Sequence, residues 1–252
     1  MPSPKKRWNW RLTLSLALLG GSALVYAIHY LIFRDVRHIF IYLIGDIAFL
    51  FITILFATVV FESILARREK KAMLKKMNMV IGAFFSALGR NLLAKFPLFV
   101  DNTAELAPRL AFTVRWEKAD FRLAMETART FSYRVRVTPE ALRDLRACLL
   151  DNRSFLLGLL ENPNLLEHER FTDLLWAVFH LVEELEMRPD SLKGLPDADY
   201  THLAGDIQRA YSQIASEWLA YAQHLKDNYP FLFSLAVRIN PFAESPSPVI
   251  QG

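Results

Sequence analysis

The sequence predicts an all-α membrane protein: a two-helix transmembrane hairpin, then a stalk helix and a cytoplasmic helical bundle. Two apolar runs, residues 12–33 and 39–61, lie five residues apart near the start of the chain. A bilayer core needs about 20 consecutive apolar residues in a helix. The first run contains no Asp, Glu, Lys or Arg, and the second contains only Asp46. Later in the chain, apolar residues recur every three or four positions, which is typical of amphipathic helices.

Basic residues flank the predicted hairpin and indicate its orientation. Lys and Arg are frequent in the N-terminus, residues 1–11, and in residues 67–76, whereas the connecting loop, residues 34–38, contains two. Because cytoplasmic flanks are rich in Lys and Arg, we expect both termini on the cytoplasmic side of the inner membrane. Cations near the surface also attract anionic lipid headgroups; those expected to do so are Lys5, Lys6, Arg7, Arg11, Arg67, Arg68, Lys70 and Lys71.

Two alternatives to this interpretation are weaker. A cleaved signal peptide would end near residues 20–23, but the apolar run continues to Phe33. Nucleic-acid binding would need a basic patch on the folded domain. The formal charge of the chain is +4, but residues 77–252 alone carry 18 Lys or Arg against 22 Asp or Glu. We therefore expect lipid contacts and no nucleic-acid partner.

Polar residues inside the predicted spans are functional candidates, because ionisable groups at membrane depth are costly. His29 and Asp46 have the same sum of residue numbers as Ser22 and Thr53, as facing positions of an antiparallel hairpin must. We expect His29 to contact Asp46 and Ser22 to lie near Thr53. The pair either holds the two helices together or, in an oligomer, forms part of an ion or proton path.

A stalk helix is predicted for residues 62–96, where apolar residues form a short heptad-like stripe. The stripe is too short to establish a coiled coil, so it either mediates oligomerisation, packs on its own domain or lies on the lipid surface. The stripe consists of Leu74, Met77, Ile81, Phe84 and Leu88. After the stalk, we expect a cytoplasmic domain over residues 97–242 and a disordered tail over 243–252.

The cytoplasmic domain is predicted to contain about five helices. Thr138 followed by Pro139 is typical of a helix start, and three further apolar patterns predict helices over 171–185, 203–225 and 231–239. Alternating apolar residues in 109–116 and 133–137 are typical of strands. A minor two-stranded element is therefore an open alternative for that stretch.

No motif of a known reaction is present, so no cofactor is expected and an enzyme is the less favoured class. The sequence lacks a Gly-rich phosphate loop and a GxSxG motif. Cys148 is the single cysteine, which excludes disulfides within the chain and zinc sites with several cysteines. One helical face carries weak metal-ligand candidates, with a solvated polar face as the alternative; they are Glu169, Asp173, His180 and Glu184. His202, Asp206 and Gln213 are expected to face solvent.

Four stretches resemble an uncharacterised family of prokaryotic two-span membrane proteins: residues 33–50, 77–89, 171–186 and 202–242. The resemblance implies the membrane topology and a bacterial or archaeal source, and it transfers no catalytic residue. We expect a membrane-tethered module that binds another protein or its own copies. An oligomeric ion or proton conductor using His29 and Asp46 is the first alternative, and a metal-dependent enzyme is the second.

Overall fold

The computed structural model describes residues 10–249 except 164, 166 and 167. Within this range the side chains of residues 10–12, 70–72, 74 and 75 are not described. The chain divides into two compact units, Met1–Glu69 and Lys70–Gly252, called unit 1 and unit 2 below. The described residues are helical with no strand, apart from one isolated bridge between Val100 and Val135. The predicted all-α class is confirmed.

Unit 1 contains α1 (Trp10–Phe33) and the first part of α2 (Val36–Phe84). The connection is shorter than the predicted loop because Asp35 caps α2: its Oδ1 accepts hydrogen bonds from the backbone N–H of Arg37 (2.9 Å) and His38 (3.3 Å). An aspartate in this position satisfies N–H groups that the first helical turn leaves free. The loop of residues 34–38 therefore shrinks to two residues.

Unit 2 is a bundle arranged around one long helix. After α2 come a π-helical turn (Phe85–Gly89), α3 (Arg90–Lys95) and a 3-10 turn (Phe96–Phe99). The remaining helices are α4 (Thr103–Leu110), α5 (Lys118–Thr130), α6 (Pro139–Asp151), α7 (Arg153–Leu160), α8 (Glu169–Glu186), α9 (Asp197–Asn228) and α10 (Pro230–Arg238). Helix α9 packs against α3, α5, α8 and α10, so its apolar face forms the centre of the core.

The predicted stalk is part of the core of unit 2. Met77, Ile81, Phe84 and Leu88 are each at most 3% exposed, so the stripe packs on its own domain. Gly89 is the last residue of the π-helical turn that follows α2. A Cβ atom there would approach the rings of Phe84 and Phe85 to within 2.8 Å. The glycine permits the two rings to pack against this turn. Unit 2 begins at Lys70, within the stretch predicted as a stalk.

The strand-like stretch forms no sheet. Residues 103–110 are the helix α4, and 131–138 form an extended segment that contributes the one isolated bridge. The pairing does not extend beyond this bridge because the buried side chain of Asn102 bonds to the neighbouring backbone groups. Its Oδ1 accepts a hydrogen bond from the N–H of Arg134 (3.0 Å), and its Nδ2 donates one to the carbonyl of Ser132 (3.0 Å). Leu110, Phe112 and Tyr133 face the helical core. Val114, which continues the same alternating pattern, is exposed.

The helix start predicted at Thr138 agrees with the structure. The Thr138 hydroxyl accepts a hydrogen bond from the N–H of Ala141 (3.3 Å), so it caps α6, and Pro230 is the first residue of α10. Residues 97–242 contain seven described α-helices instead of about five. Of the predicted disordered tail, residues 243–249 form bends and irregular backbone, and the N–H of Ser247 donates to the carbonyl of Arg238 (2.9 Å). Residues 250–252 lie outside the described residues.

Candidate functional site

Four side chains from α8 and α9 meet between these two helices. His180 and Glu184 are one turn apart on α8, and His202 and Asp206 are one turn apart on α9. We call these four residues the His–carboxylate cluster. His180 lies opposite Asp206 and Glu184 lies opposite His202, as expected for antiparallel helices. The cluster therefore brings together two imidazoles and two carboxylates.

The ligand atoms of the cluster point at one another. The Nε2 atom of His180 is 3.5 Å from Oδ2 of Asp206, and the Nε2 atom of His202 is 3.3 Å from the same oxygen. Glu184 lies 3.7 Å from the Nε2 atom of His180 and 3.5 Å from that of His202. Asp206 is 2% exposed, and its Oδ2 accepts no hydrogen bond. A buried oxygen without a hydrogen bond is costly, so this atom marks the chemical centre of the cluster.

Arginines hold the two carboxylates in place. Arg188 donates to Glu184 (2.5 Å) and to both oxygens of Asp199 (2.6 and 2.8 Å), which joins the C-terminus of α8 to the first turn of α9. Hydrogen bonds from this guanidinium lower the pKa of Glu184 and of Asp199 below their ordinary values. Arg209 donates to Oδ1 of Asp206 (3.0 Å) and leaves Oδ2 free for the histidines.

The charges around the cluster favour a cation. Glu184, Asp199 and Asp206 supply three carboxylates, whereas Arg188 and Arg209 supply two guanidinium groups. Apart from the two imidazoles, the carboxylates outnumber the guanidinium groups by one in a partly buried position. A buried excess charge is unfavourable unless it is paired or coordinates a metal.

The sequence identified only half of this site. His180 and Glu184 belong to the cluster, whereas Glu169 and Asp173 are exposed and lie outside it. Asp206 was expected to face solvent and is buried, because α8 covers that face of α9. The signal that would have found the site is the register of the two helices: His180 with Asp206 and Glu184 with His202 share one sum of residue numbers.

A second polar contact joins α8 and α9 at a distance from the His–carboxylate cluster. A terminal guanidinium nitrogen of Arg170 on α8 lies 2.6 Å from Oε1 of Glu217 on α9, and Glu217 is 2% exposed. Ser216 accepts a hydrogen bond from Arg129 on α5 (3.0 Å). Burial, followed by the neighbouring Arg170, lowers the pKa of Arg129. These groups tie α5, α8 and α9 together, and we assign them a structural role.

Cys148 has no catalytic neighbourhood. It is half-buried and packs against the core of unit 2. Burial raises the pKa of its thiol, whereas a reactive cysteine needs a lowered pKa. Cys148 is therefore a packing residue of unit 2.

In the described structure, no hydrogen bond or ion pair joins the polar residues that are predicted to meet in unit 1. The His29 ring stacks on His38, with centroids 5.9 Å apart. Asp46 is exposed, and no hydrogen bond or ion pair joins it to another described residue. The Thr53 hydroxyl donates to the carbonyl of Phe49 on its own helix (3.1 Å), and Ser22 is exposed. The physical reason is the short connection: an α2 that begins at Val36 changes which positions lie opposite each other.

The predicted headgroup contacts fall mainly outside the described residues. Lys5, Lys6 and Arg7 precede the described range, and the side chains of Arg11, Lys70 and Lys71 are not described. Arg67 and Arg68 are exposed on α2. An exposed position is compatible with the predicted headgroup contact, which stays a prediction.

The fold and the cluster together define a class: a helical protein in which two apolar N-terminal helices accompany a separate helical domain with a polar cluster. One family model, described as "MJ1433, N-terminal helical domain", matches residues 5–65. Another, described as "Uncharacterized protein MJ1433, C-terminal helical domain", matches residues 73–238. The chain belongs to the MJ1433 family, whose function is not characterised.

A relative from an archaeon extends this finding over nearly the whole chain. The uncharacterised protein MJ1433 of Methanocaldococcus jannaschii is 40% identical over 234 residues, which are 93% of this chain and 94% of the relative. No solved structure matches the chain. The two family regions meet between residues 65 and 73, where the structure also divides into its two units. The predicted resemblance to an uncharacterised prokaryotic family is confirmed at this level.

Proposed function

We propose that this protein is an integral membrane protein that spans the bilayer twice and tethers unit 2 to the cytoplasmic surface. Unit 2 would bind a protein partner or other copies of the chain. The observation that carries the proposal is the exposure of the apolar helices. The most apolar 18-residue stretches of Thr13–Phe33 and Val36–Glu69 have mean hydropathies of 1.8 and 2.5, and none of their residues is buried. Apolar surfaces of this size are unfavourable in water, and lipid removes that cost.

A third segment is long and apolar enough to cross a membrane, namely Lys76–Phe99, with a mean hydropathy of 1.2. We assign it to the helical domain because 44% of its window is buried. Phe84, Phe96 and Phe99 are among the largest buried side chains of unit 2. A segment cannot fill this core and face lipid at the same time, so two spans are proposed.

Helix length supports this assignment. At 1.5 Å per residue, the run 39–61 is about 34 Å long, close to the roughly 30 Å of a hydrocarbon core. The longer segment Val36–Glu69 therefore reaches past one bilayer surface, where Arg67 and Arg68 follow. Together with the basic N-terminus, these residues favour both termini on the cytoplasmic side.

An oligomeric ion or proton conductor is the second candidate function. It is favoured by Asp46, a carboxylate within the second apolar run that is exposed and has no partner in the described part of the chain. At membrane depth such a group faces the interior of an assembly or pairs with another polar group. Two helices of one chain cannot enclose a pore, so conduction would require several copies.

Membrane extraction and cysteine labelling test the topology. The protein should stay in the membrane fraction at alkaline carbonate pH. In a Cys148→Ser background, Val36→Cys should react with a membrane-impermeant maleimide in intact cells, whereas Ser234→Cys should react only after lysis. Release by carbonate, or the reverse labelling pattern, would contradict the proposal.

The mass of the native complex in detergent separates the two candidate functions. A complex with a different protein supports the tethered interaction module. A ring of identical chains whose Asp46→Asn variant loses ion flux in liposomes supports the conductor instead.

A further inference from the structure

We propose that the His–carboxylate cluster is a binding site for a divalent transition-metal ion, with Zn²⁺ as the best fit. His180 and His202 would bind it through Nε2 and Asp206 through Oδ2. Glu184 would be the fourth ligand. The inference does not depend on the membrane topology, because all four residues lie in unit 2.

The spacing of the ligand atoms is the first argument. Zn²⁺ binds imidazole nitrogen and carboxylate oxygen at about 2.0–2.1 Å in tetrahedral geometry, which puts neighbouring ligand atoms about 3.3 Å apart. The distances from Asp206 Oδ2 to the Nε2 atoms of His202 and His180 are 3.3 and 3.5 Å. Glu184 approaches the two rings with different oxygens: Oε1 lies 3.7 Å from His180 Nε2, and Oε2 lies 3.5 Å from His202 Nε2. The ligand atoms of His180, His202 and Asp206 all lie within 4.8 Å of one another.

The missing hydrogen bonds are the second argument. If the histidines formed hydrogen-bonded ion pairs with the carboxylates, the ring nitrogen and the carboxylate oxygen would be about 2.7–3.2 Å apart. Here the atoms stay further apart, and the buried Oδ2 of Asp206 has no hydrogen-bond partner. A metal ion between these atoms would satisfy this oxygen and both imidazoles.

Support and access complete the site. Arg209 donates to Oδ1 of Asp206, so this carboxylate is held by the oxygen that does not face the histidines. Arg188 donates to Oε2 of Glu184, which leaves Oε1 as the oxygen that Glu184 would offer to the ion. Such supporting contacts tune metal affinity in proteins. The site also has an entrance, because His180 lines an open groove of about 440 Å³ together with Trp176 and Gln213. A donor set with supporting hydrogen bonds and an entry path meets the requirements for a metal site.

The test uses the full chain, purified in detergent and freed of metal with a chelator. Zn²⁺ is titrated by calorimetry, and Co²⁺ is added to a separate metal-free sample as a spectroscopic probe, because Co²⁺ does not displace Zn²⁺ from such a site. We expect about one Zn²⁺ per chain, a rise in the unfolding temperature with Zn²⁺, and a Co²⁺ absorption spectrum typical of tetrahedral ligation by nitrogen and oxygen. Failure of the wild-type protein to bind Zn²⁺ would overturn the proposal.

Variants locate the ion. His202→Gln and Asp206→Asn should each weaken Zn²⁺ binding by about 100-fold, because even the loss of a group behind a ligand costs 10- to 100-fold. His202 is the safer substitution, since its side chain is 52% exposed. His224→Gln is the matched control on the same helix, and it should bind Zn²⁺ like the wild type.

His29 and His38 are the other histidine pair in contact, so His38→Gln is the second control. Unchanged Zn²⁺ binding in His38→Gln supports the cluster. Loss of binding in His38→Gln, or wild-type affinity in His202→Gln, would place the ion elsewhere and overturn the assignment. Circular dichroism of each variant verifies that its helix content is retained.

Discussion

Both units contain a histidine and an aspartate on consecutive helices, but only one of these pairs is in contact. In unit 1, His29 stacks on His38 and Asp46 is exposed. In unit 2, His180 approaches Asp206 to 3.5 Å, and Asp206 is buried. The register argument therefore needs the correct helix boundaries before it can pair residues across a turn.

The difference lies in what surrounds each pair. Helices α8 and α9 are fixed against each other by a shared apolar core, by the Arg188 bridge and by the contact of Arg170 with Glu217. In unit 1 the apolar side chains are mostly exposed, and there is no comparable core in the described residues. Polar residues thus acquire defined partners where apolar packing fixes the register, since interiors are close-packed.

The largest expected effect comes from matched phenylalanines in the two units. Phe84→Ala should destabilise unit 2 by about 3–5 kcal/mol, because Phe84 is fully buried and packs edge-on against Phe171. Phe51→Ala should leave the unfolding of unit 2 unchanged, since Phe51 is 71% exposed in unit 1. Thermal unfolding followed by circular dichroism in detergent measures both. Equal losses of stability in Phe84→Ala and Phe51→Ala would contradict the difference in packing between unit 1 and unit 2.

A smaller effect is expected at the bridge between α8 and α9. Arg188→Gln should cost about 1–3 kcal/mol, because it removes charge-assisted hydrogen bonds to Glu184 and Asp199. Arg143→Gln is the control: its ion pair with Glu140 is exposed, with a distance of 3.6 Å, and should contribute at most about 1 kcal/mol. Denaturant unfolding at neutral pH measures the difference.

The same variant predicts a pH dependence. In the folded state the pKa values of Glu184 and Asp199 are lowered from 4.5 and 3.8 by hydrogen bonds from Arg188. Their contribution to stability is therefore fully present above the unfolded-state pKa values and is lost as the pH falls through the folded-state values. The difference in unfolding free energy between the wild type and Arg188→Gln should therefore decrease as the pH falls below about 4. A gap of constant size down to pH 2 would rule out this origin.

The smallest expected effect is that of Asp46→Asn on stability. It should change the unfolding free energy of unit 2 by less than about 0.5 kcal/mol, because Asp46 has no partner in the described residues.

Oxidative cross-linking in a Cys148→Ser background tests which residues of α1 and α2 lie opposite each other in unit 1. A His29→Cys/His38→Cys pair should cross-link, and a His29→Cys/Asp46→Cys pair should not. The opposite pattern would restore the contact predicted from the sequence.

Local signals in the sequence predicted a large part of the fold. Thr138 marks the start of α6, Pro230 that of α10, and the apolar periodicities of α8 and α9 locate both helices. These features act within one or two helical turns, so they are readable without knowledge of the remaining chain. Asp35 was a readable signal as well, and its capping role would have shortened the predicted loop.

The site was only partly predictable, because burial depends on a partner helix. Considered alone, α9 carries His202 and Asp206 on a face away from its apolar stripe, which is typical of solvent exposure. Only the packing of α8 buries Asp206 and places His180 opposite it. The residues predicted as a stalk are a similar case, since their apolar stripe has the same pattern whether it faces a core, lipid or another chain.

The sequence by itself determined the all-α class, the two long apolar helices and most helix starts, because composition and short-range periodicity are sufficient for these. The tertiary structure decided that residues 77–99 belong to the domain core and that two histidines and two carboxylates meet between α8 and α9. These outcomes depend on contacts between residues distant in the chain. Such contacts are set by the joint burial of several apolar faces, which no single segment specifies.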